Sequence, residues 1–371
     1  MEVFKNKVQE LLDLADIRIN GSRSFDMQVH NDMLYQRIFA EGSLGLGESY
    51  MDGWWDCEAL DEFFYRIMHA ELNRRVRPVR EAATLLKAMI LNLQKQSRAF
   101  EIGEHHYDIG DDLYQAMLDR RMIYSCAFWK KSRSLDQAQE QKLDLIFRKL
   151  GLQKGMKVLD VGCGWGGALK YAVEKFGVTG VGVTVSINQA QAAERICQNL
   201  PVDIRLQDYR DLGGSFDRIW SIGMIEHVGV KNYRTYMRVM HTCLKPDGLF
   251  LLHTIGGNRS VYKTDAWTGK YIFPNSMIPS LRQLALAWED LFVVEDLHNI
   301  GINYTKTLKQ WHRNVERHRE KLGDKYSNRF FRMWRYYLLS CAGTFRARRL
   351  NVWQIVLSPG GMPGGYEAVR W

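Results

Sequence analysis

The stretch Val158-Leu159-Asp160-Val161-Gly162-Cys163-Gly164-Trp165-Gly166-Gly167 decides how this chain is read. An apolar strand runs into a glycine-rich turn, and the turn opens a helix through Ala168, Leu169, Tyr171, Ala172 and Val173. Without a Cβ, the glycines let the backbone turn sharply and approach a ligand closely. The helix N-terminus beyond them offers unpaired N–H groups to polar or anionic ligand atoms. Downstream, Val178–Val183, Val202–Leu206, Phe216–Ile222 and Leu249–His253 read as further strands. Helices are expected between them over 167–176 and 187–199. Such alternation predicts a largely parallel sheet with helices on both faces. Ligands of such sheets bind outside the carboxyl ends of the strands. That rule puts Gly162, Thr184, Asp208, Glu226 and His253 along one sheet edge.

Gly162, Gly164 and Gly167 satisfy G-x-G-x-x-G. A dinucleotide site also expects an acid at the end of the second strand. Here that strand ends Gly182-Val183-Thr184-Val185-Ser186, with a hydroxyl instead, which lowers the nicotinamide reading. The third strand ends Gln207-Asp208-Tyr209-Arg210-Asp211. Asp208 can accept a hydrogen bond from an adenine amino group while Tyr209 stacks nearby, or can serve as a turn and helix cap. The combination resembles the common Rossmann-like class of S-adenosylmethionine-dependent methyltransferases, an α/β fold.

Upstream, residues 3–16 carry apolar side chains at helical spacing, and Ile17–Ile19 and Met27–His30 alternate like short strands. The glycines and paired tryptophans of Gly42–Trp55 predict a tight, aromatic-packed loop. Leu60, Phe63, Phe64, Ile67 and Met68 continue as a helix. Residues 1–75 are thus expected to form a small α-rich N-terminal domain. Residues 66–98 are strongly basic, and Ala82, Leu85, Leu86, Met89, Ile90 and Leu93 form one apolar stripe. This predicts a basic amphipathic linker helix over 76–100, able to pack on a neighbouring domain or to lie on an anionic membrane. Residues 101–371 are assigned to the catalytic domain. Leu135–Leu150 reads as an amphipathic helix ended by Gly151, and Val352–Leu357 as a final strand. The glycine-rich tail after Ser358 is expected to be flexible.

Composition narrows the function classes. Of the 371 residues, 46% are apolar and 12% aromatic, ample for a core and unlike a disordered chain. The formal net charge of +9 favours an anionic partner, and no recognition helix or RNA-binding signature points to nucleic acid. The six cysteines form no C-x-x-C pair, so neither a zinc site nor a disulfide scaffold is expected. His105 and His106 are adjacent and would point apart on a helix, so no metal site is assigned. The N-terminus reads as an amphipathic helix and not a signal sequence, and no apolar run approaches the roughly 20 residues of a membrane span.

Longer stretches carry a closer resemblance. Gly42–Trp55, Tyr124-Ser125-Cys126-Ala127, Val158–Gly167, Gly223-Met224-Ile225-Glu226-His227-Val228-Gly229, Leu251-Leu252-His253-Thr254-Ile255-Gly256 and Tyr271-Ile272-Phe273-Pro274-Asn275 are similar, in order, to bacterial cyclopropane-fatty-acyl-phospholipid synthases. The related mycolic acid cyclopropane synthases generally lack the N-terminal part. The resemblance implies a seven-stranded, mostly parallel sheet. It also implies methylene transfer from S-adenosylmethionine to the cis double bond of an unsaturated phospholipid acyl chain. The closest alternative is a fatty-acyl methyltransferase without ring closure.

In this family a bound bicarbonate ion removes the proton that lets the ring close. The resemblance places its cage on Cys126, Glu226, His253, Ile255 and Tyr304. It places the methyl donor on Tyr124, Ser125, Gly162, Gly164, Thr184, Gln189, Asp208 and Tyr209. Lys263–Pro279 would cap the acyl tunnel, with Trp267, Tyr271 and Phe273 as lining. The implied setting is cytoplasmic, peripheral to an anionic membrane surface, as a homodimer.

Overall fold

A computed structural model of the chain describes residues 2–75 and 110–370. The contacts divide it into two compact units. The first comprises Met1–Leu91, Tyr262–Pro274 and Tyr304–Leu350; the second comprises Asn92–Val261, Asn275–Asn303 and Asn351–Trp371. A boundary near residue 75 follows the chain alone. The contacts instead draw two later segments into the unit of the N-terminal residues. The expected linker helix over 76–100 lies outside the described residues, as do His105 and His106.

The first unit is mostly helical. Helices Glu2–Asp13, Met33–Glu41, Ser43–Met51 and Leu60–His69 pack with helices Ala266–Tyr271 and Asn328–Arg346. Strands β1 (Gln28–Val29) and β2 (Trp55–Asp56) form its only sheet among the described residues. Gly42–Trp55 is not the expected loop, because Ser43–Met51 is helical. Close packing explains glycine inside that helix. A Cβ on Gly45 would stand 2.4 Å from the Arg37 carbonyl oxygen, and one on Gly47 would stand 2.3 Å from Trp267 Cδ1. Glu48, buried on the same helix, gathers Arg37, Lys270 and the Tyr271 hydroxyl, the last at 2.8 Å. Trp267 is itself a core residue here, its ring 4.5 Å from that of Tyr336 and its Nε1–H 3.3 Å from Met51 Sδ.

The second unit holds the sheet, with strands β3 (Lys157–Val161), β4 (Thr179–Thr184), β5 (Val202–Leu206), β6 (Phe216–Ile222), β7 (Leu244–Gly257), β8 (Val293–Asn299) and β9 (Leu350–Ser358). Their order is β5-β4-β3-β6-β7-β9-β8. β3 to β7 run parallel, and β8 pairs antiparallel with β9. Strand alternation builds two cores. Leu159, Val161, Phe250, Leu252, Ile355 and Leu357 face helices Tyr233–Cys243 and Leu281–Trp288. Val158, Leu249, Leu251 and Val356 face helices Leu135–Lys149 and Gly167–Phe176. The order reverses between β3 and β6, the switch point where such sheets open a ligand crevice.

The tail beyond Ser358 is anchored, contrary to expectation. Met362 donates its backbone N–H to Glu295 Oε1 at 2.8 Å, and the Tyr366 hydroxyl donates to the Lys149 carbonyl at 2.9 Å. Arg370 pairs with buried Asp296, which also holds Lys149 at 3.0 Å.

Gly47→Ala should cost about 1–3 kcal/mol by overpacking against Trp267. Gly213→Ala, whose Cβ would meet nothing within 4 Å, should stay within about 0.5 kcal/mol of the parent. Thermal unfolding of the two variants checks this contrast.

Candidate active site

β3 ends at Val161, and Gly162 follows with φ +85°, a left-handed conformation that favours glycine. Gly162 and Cys163 both donate backbone N–H groups to the Val183 carbonyl at 2.9 Å, which ties the turn to β4. Gly164 has φ +54°, and among the described residues nothing lies within 4 Å of where its Cβ would be. The turn therefore borders an open cleft of about 1230 Å³, mouth included. Tyr124, Ser125, Gly162, Gly164, Thr184, Gln189, Asp208 and Tyr209 all line it.

Each of these residues is set by its neighbours. Thr184 Oγ1 lies 2.9 Å from Gln189 Oε1 and accepts the Ser186 N–H at 3.2 Å. Asp208 caps the turn Tyr209–Asp211, taking the Arg210 N–H at 2.8 Å and its guanidinium at 3.0 Å. The capping reading of Asp208 is thus realised, and the residue also borders the cleft. Burial pushes its carboxyl above the ordinary range. Tyr209 is buried, its ring 5.1 Å from that of Tyr236. Tyr124 meets Tyr114 edge-on at 5.2 Å, and Tyr114 in turn tilts against Trp165 at 5.1 Å.

Sequence reasoning missed the support beneath Ser125. Helix Leu135–Lys149 buries three polar side chains among its apolar ones, Gln139, Lys142 and Lys149. Gln139 donates to the carbonyls of Ile123 and Ser125 at 3.1 and 2.9 Å. Lys142 donates to Ser125 Oγ at 2.9 Å. The available signal was polar residues three apart on an apolar helix face.

Cys126 and Glu226 adjoin the cleft along the chain, next to Ser125 and His227. Glu226 lies in the short turn Ile225–His227 after β6. Its Oε1 accepts the Ile255 N–H at 2.6 Å, so Glu226 and Ile255 are brought together. Its Oε2 is buried without a hydrogen-bond partner among the described residues. Burial raises this carboxyl to about 7, against the opposing pull of the Ile255 N–H. His253 on β7 is buried, and burial with the charges of Lys142 and Lys149 holds its imidazole well below the usual range. Gln354 on β9, another residue missed in the sequence, puts Nε2 3.4 Å from His253 Nδ1. Cys126 is buried, with its thiol directed at the Ala127 carbonyl at 3.3 Å. Tyr304 belongs to the first unit, where its ring packs on Phe345 at 4.7 Å and Trp311 at 5.7 Å. Among the described residues no group of acidic, histidine and cysteine side chains fits a metal ion, and no helix is long and apolar enough to cross a membrane.

Residues 94–355 match the family model described as mycolic acid cyclopropane synthetase. The chain is 49% identical, over 95% of its length and 92% of the relative's, to the cyclopropane-fatty-acyl-phospholipid synthase of Escherichia coli K12. Among solved structures it is similar to the cyclopropane synthase MmaA2 from Mycobacterium tuberculosis, with a TM-score of 0.67, 30% identity and coverage of 72% of this chain and 99% of that one. It is also similar to mycolic acid cyclopropane synthase CmaA1 complexed with SAH and CTAB, with a TM-score of 0.65, 33% identity and coverage of 70% and 97%.

A carboxyl raised by burial stays protonated in the folded chain after its unfolded counterpart has ionised. Burying the charge therefore costs nothing below about pH 4.5, and the cost grows until about pH 7. Glu226→Gln should match the parent in stability at about pH 4 and exceed it by about 3 kcal/mol at pH 8. Urea unfolding at the two pH values reads the difference.

Proposed function

We propose, for a chain that belongs to the mycolic acid cyclopropane synthetase family, that it transfers a methylene group from S-adenosylmethionine to the cis double bond of an unsaturated phospholipid acyl chain. The observation that carries this reading is the buried, unpartnered Glu226 Oε2 beside the glycine cleft. Methyl addition to the double bond leaves a cation, and closing a three-membered ring needs a proton taken from the newly added methyl.

The cleft fits the methyl donor. Its glycines leave backbone-close space at Gly164, and Asp208 supplies a buried acceptor for an adenine amino group. The orphaned carboxyl fits bicarbonate, which carries one proton that Glu226 Oε2 can accept. When bound, S-adenosylmethionine supplies an electrophilic methyl, and bicarbonate supplies the base.

The chain's own residues then take five roles. Thr184, Gln189, Asp208 and Tyr209 hold the donor. Ile255 N–H fixes Glu226 through Oε1, so that Oε2 is the oxygen left to take the ion's proton. His253, neutral in its buried position, offers a ring N–H to the anion without competing for its proton. Cys126, whose thiol points at a backbone carbonyl, contributes backbone groups and no nucleophile. Tyr304 is assigned a hydroxyl donor to the same ion, on the family resemblance alone. Methyl addition leaves a cation on the acyl chain, and aromatic lining without water protects it until ring closure.

The basic segment from Arg66 to Arg98 supports docking on an anionic membrane surface, and a homodimer is carried over from the family. Replacing Arg74, Arg75, Arg77 and Arg80 should weaken binding to anionic vesicles by about 1 kcal/mol per charge and leave S-adenosylmethionine affinity unchanged. Flotation and calorimetry measure the two quantities.

Incubation with S-adenosylmethionine, bicarbonate and vesicles of unsaturated phospholipid should add the mass of one methylene per double bond, with loss of the alkene. A methylated chain that keeps an alkene would instead indicate transfer without ring closure. Glu226→Gln should lower turnover by about 10²–10⁴-fold with cofactor affinity intact. Unchanged turnover in that variant, or in buffer stripped of bicarbonate, would sink the assignment of the base.

A further inference from the structure

Lys142 is fully buried, yet it lines the cleft. Burying an ammonium is costly unless it is paired. Among the described residues no carboxylate lies within ion-pairing distance of its Nζ; its hydrogen bond goes to Ser125 Oγ at 2.9 Å. Two acids act on its charge from beyond ion-pairing distance. Asp119 accepts backbone N–H groups from Ile123 at 2.9 Å and Arg121 at 3.0 Å, and burial raises it to about 6. Burial raises Asp160 to about 7. Burial also draws Lys142 down to about 8, which leaves it mostly charged at neutral pH.

An ammonium has only donors. Ser125 Oγ must therefore accept from Lys142, and the proton of the hydroxyl is left to be donated. Gln139 removes the alternative of a moving backbone, because it grips the carbonyls of Ile123 and Ser125 on either side of Tyr124. No acceptor for the Ser125 hydroxyl proton exists among the described residues. A hydroxyl donor backed by an unpaired cation, on the wall of a cleft, suits an anion. S-adenosylmethionine carries one anionic group, its carboxylate.

We propose that Lys142 is a positioning residue for that carboxylate. Its ammonium fixes Ser125 Oγ as an acceptor, and so commits the Ser125 hydroxyl to donate to the anion in the cleft. The proposal rests on S-adenosylmethionine being the ligand of the cleft.

Calorimetric titration of the full chain with S-adenosylmethionine and with its decarboxylated analogue tests it. The proteins are the parent, Lys142→Met, Ser125→Ala and the double variant. Each single substitution should weaken S-adenosylmethionine about 10- to 100-fold, and the double variant should be no weaker than the worse single one. All four should bind the decarboxylated analogue alike, which also reports that they are folded. Multiplied losses in the double variant, or equal losses for both ligands, overturn the proposal. If Lys142→Met does not fold, Ser125→Ala decides with the same two ligands: a loss confined to the carboxylate-bearing one supports the proposal, and equal losses overturn it. A parent that fails to bind S-adenosylmethionine overturns the cofactor reading itself. A parent that binds it, beside an unaltered Lys142→Met, overturns only the role of Lys142.

Discussion

Glu226 meets the Ile255 N–H through one oxygen at 2.6 Å, while its other oxygen is buried with no partner among the described residues. Half of a carboxylate is thus satisfied by the fold and half is withheld. The satisfied half sets orientation, since Ile255 lies on β7 and the sheet holds β7 beside β6 in a fixed register. The withheld half is desolvated, and burial drives the group to about 7. A second donor on Oε2 would stabilise the charge and remove the tendency to take a proton. The unsatisfied oxygen is costly to stability.

Register carries the same constraint to His253. β6 and β7 pair Ile222 with His253, and Gly223 N–H reaches the His253 carbonyl at 2.9 Å. The turn that bears Glu226 therefore leaves the sheet at the level of the histidine. β9, on the far side of β7, brings Gln354 to the same imidazole. The switch between β3 and β6 adds the glycine turn at this level, so cleft and carboxyl share one sheet edge.

What was legible in the sequence follows from what had a single physical cause. β5 and β6 were read at their observed limits, and β3 and β4 to within a residue, because each is a short apolar-rich run bounded by turn residues. β8 was missed because its pattern is inverted. Val293, Val294 and Leu297 are exposed, while Asp296 is buried against Lys149 and Arg370. Ser43–Met51 was misread because glycine spacing speaks for a loop, and only the contacts of Arg37 and Trp267 explain glycine in a helix. The residues of the cleft were legible through resemblance to a family, whereas Gln139, Lys142 and Gln354 were not. Each is a polar side chain on an element that patterning alone reads as core, and its partner is distant in sequence.

Helix Leu135–Lys149 joins these observations. Lys142 and Lys149 are seven residues apart, about two turns, and so share one buried face. Each ammonium is desolvated, and among the described residues each finds its hydrogen-bond acceptor in one place, Ser125 Oγ for the first and Asp296 for the second. A slip of the helix by one residue would turn both charges away from their acceptors into apolar surroundings, at a cost of several kcal/mol for each. Burial pushes Asp296 up, but Arg370 and Lys149 together outweigh it and keep the carboxylate ionised. The tail residue Arg370 thus holds the acid that holds one end of the helix, and the helix holds the hydroxyl that borders the cleft. The anchored tail and the cleft are linked by two buried lysines whose acceptors fix the helix in a single register.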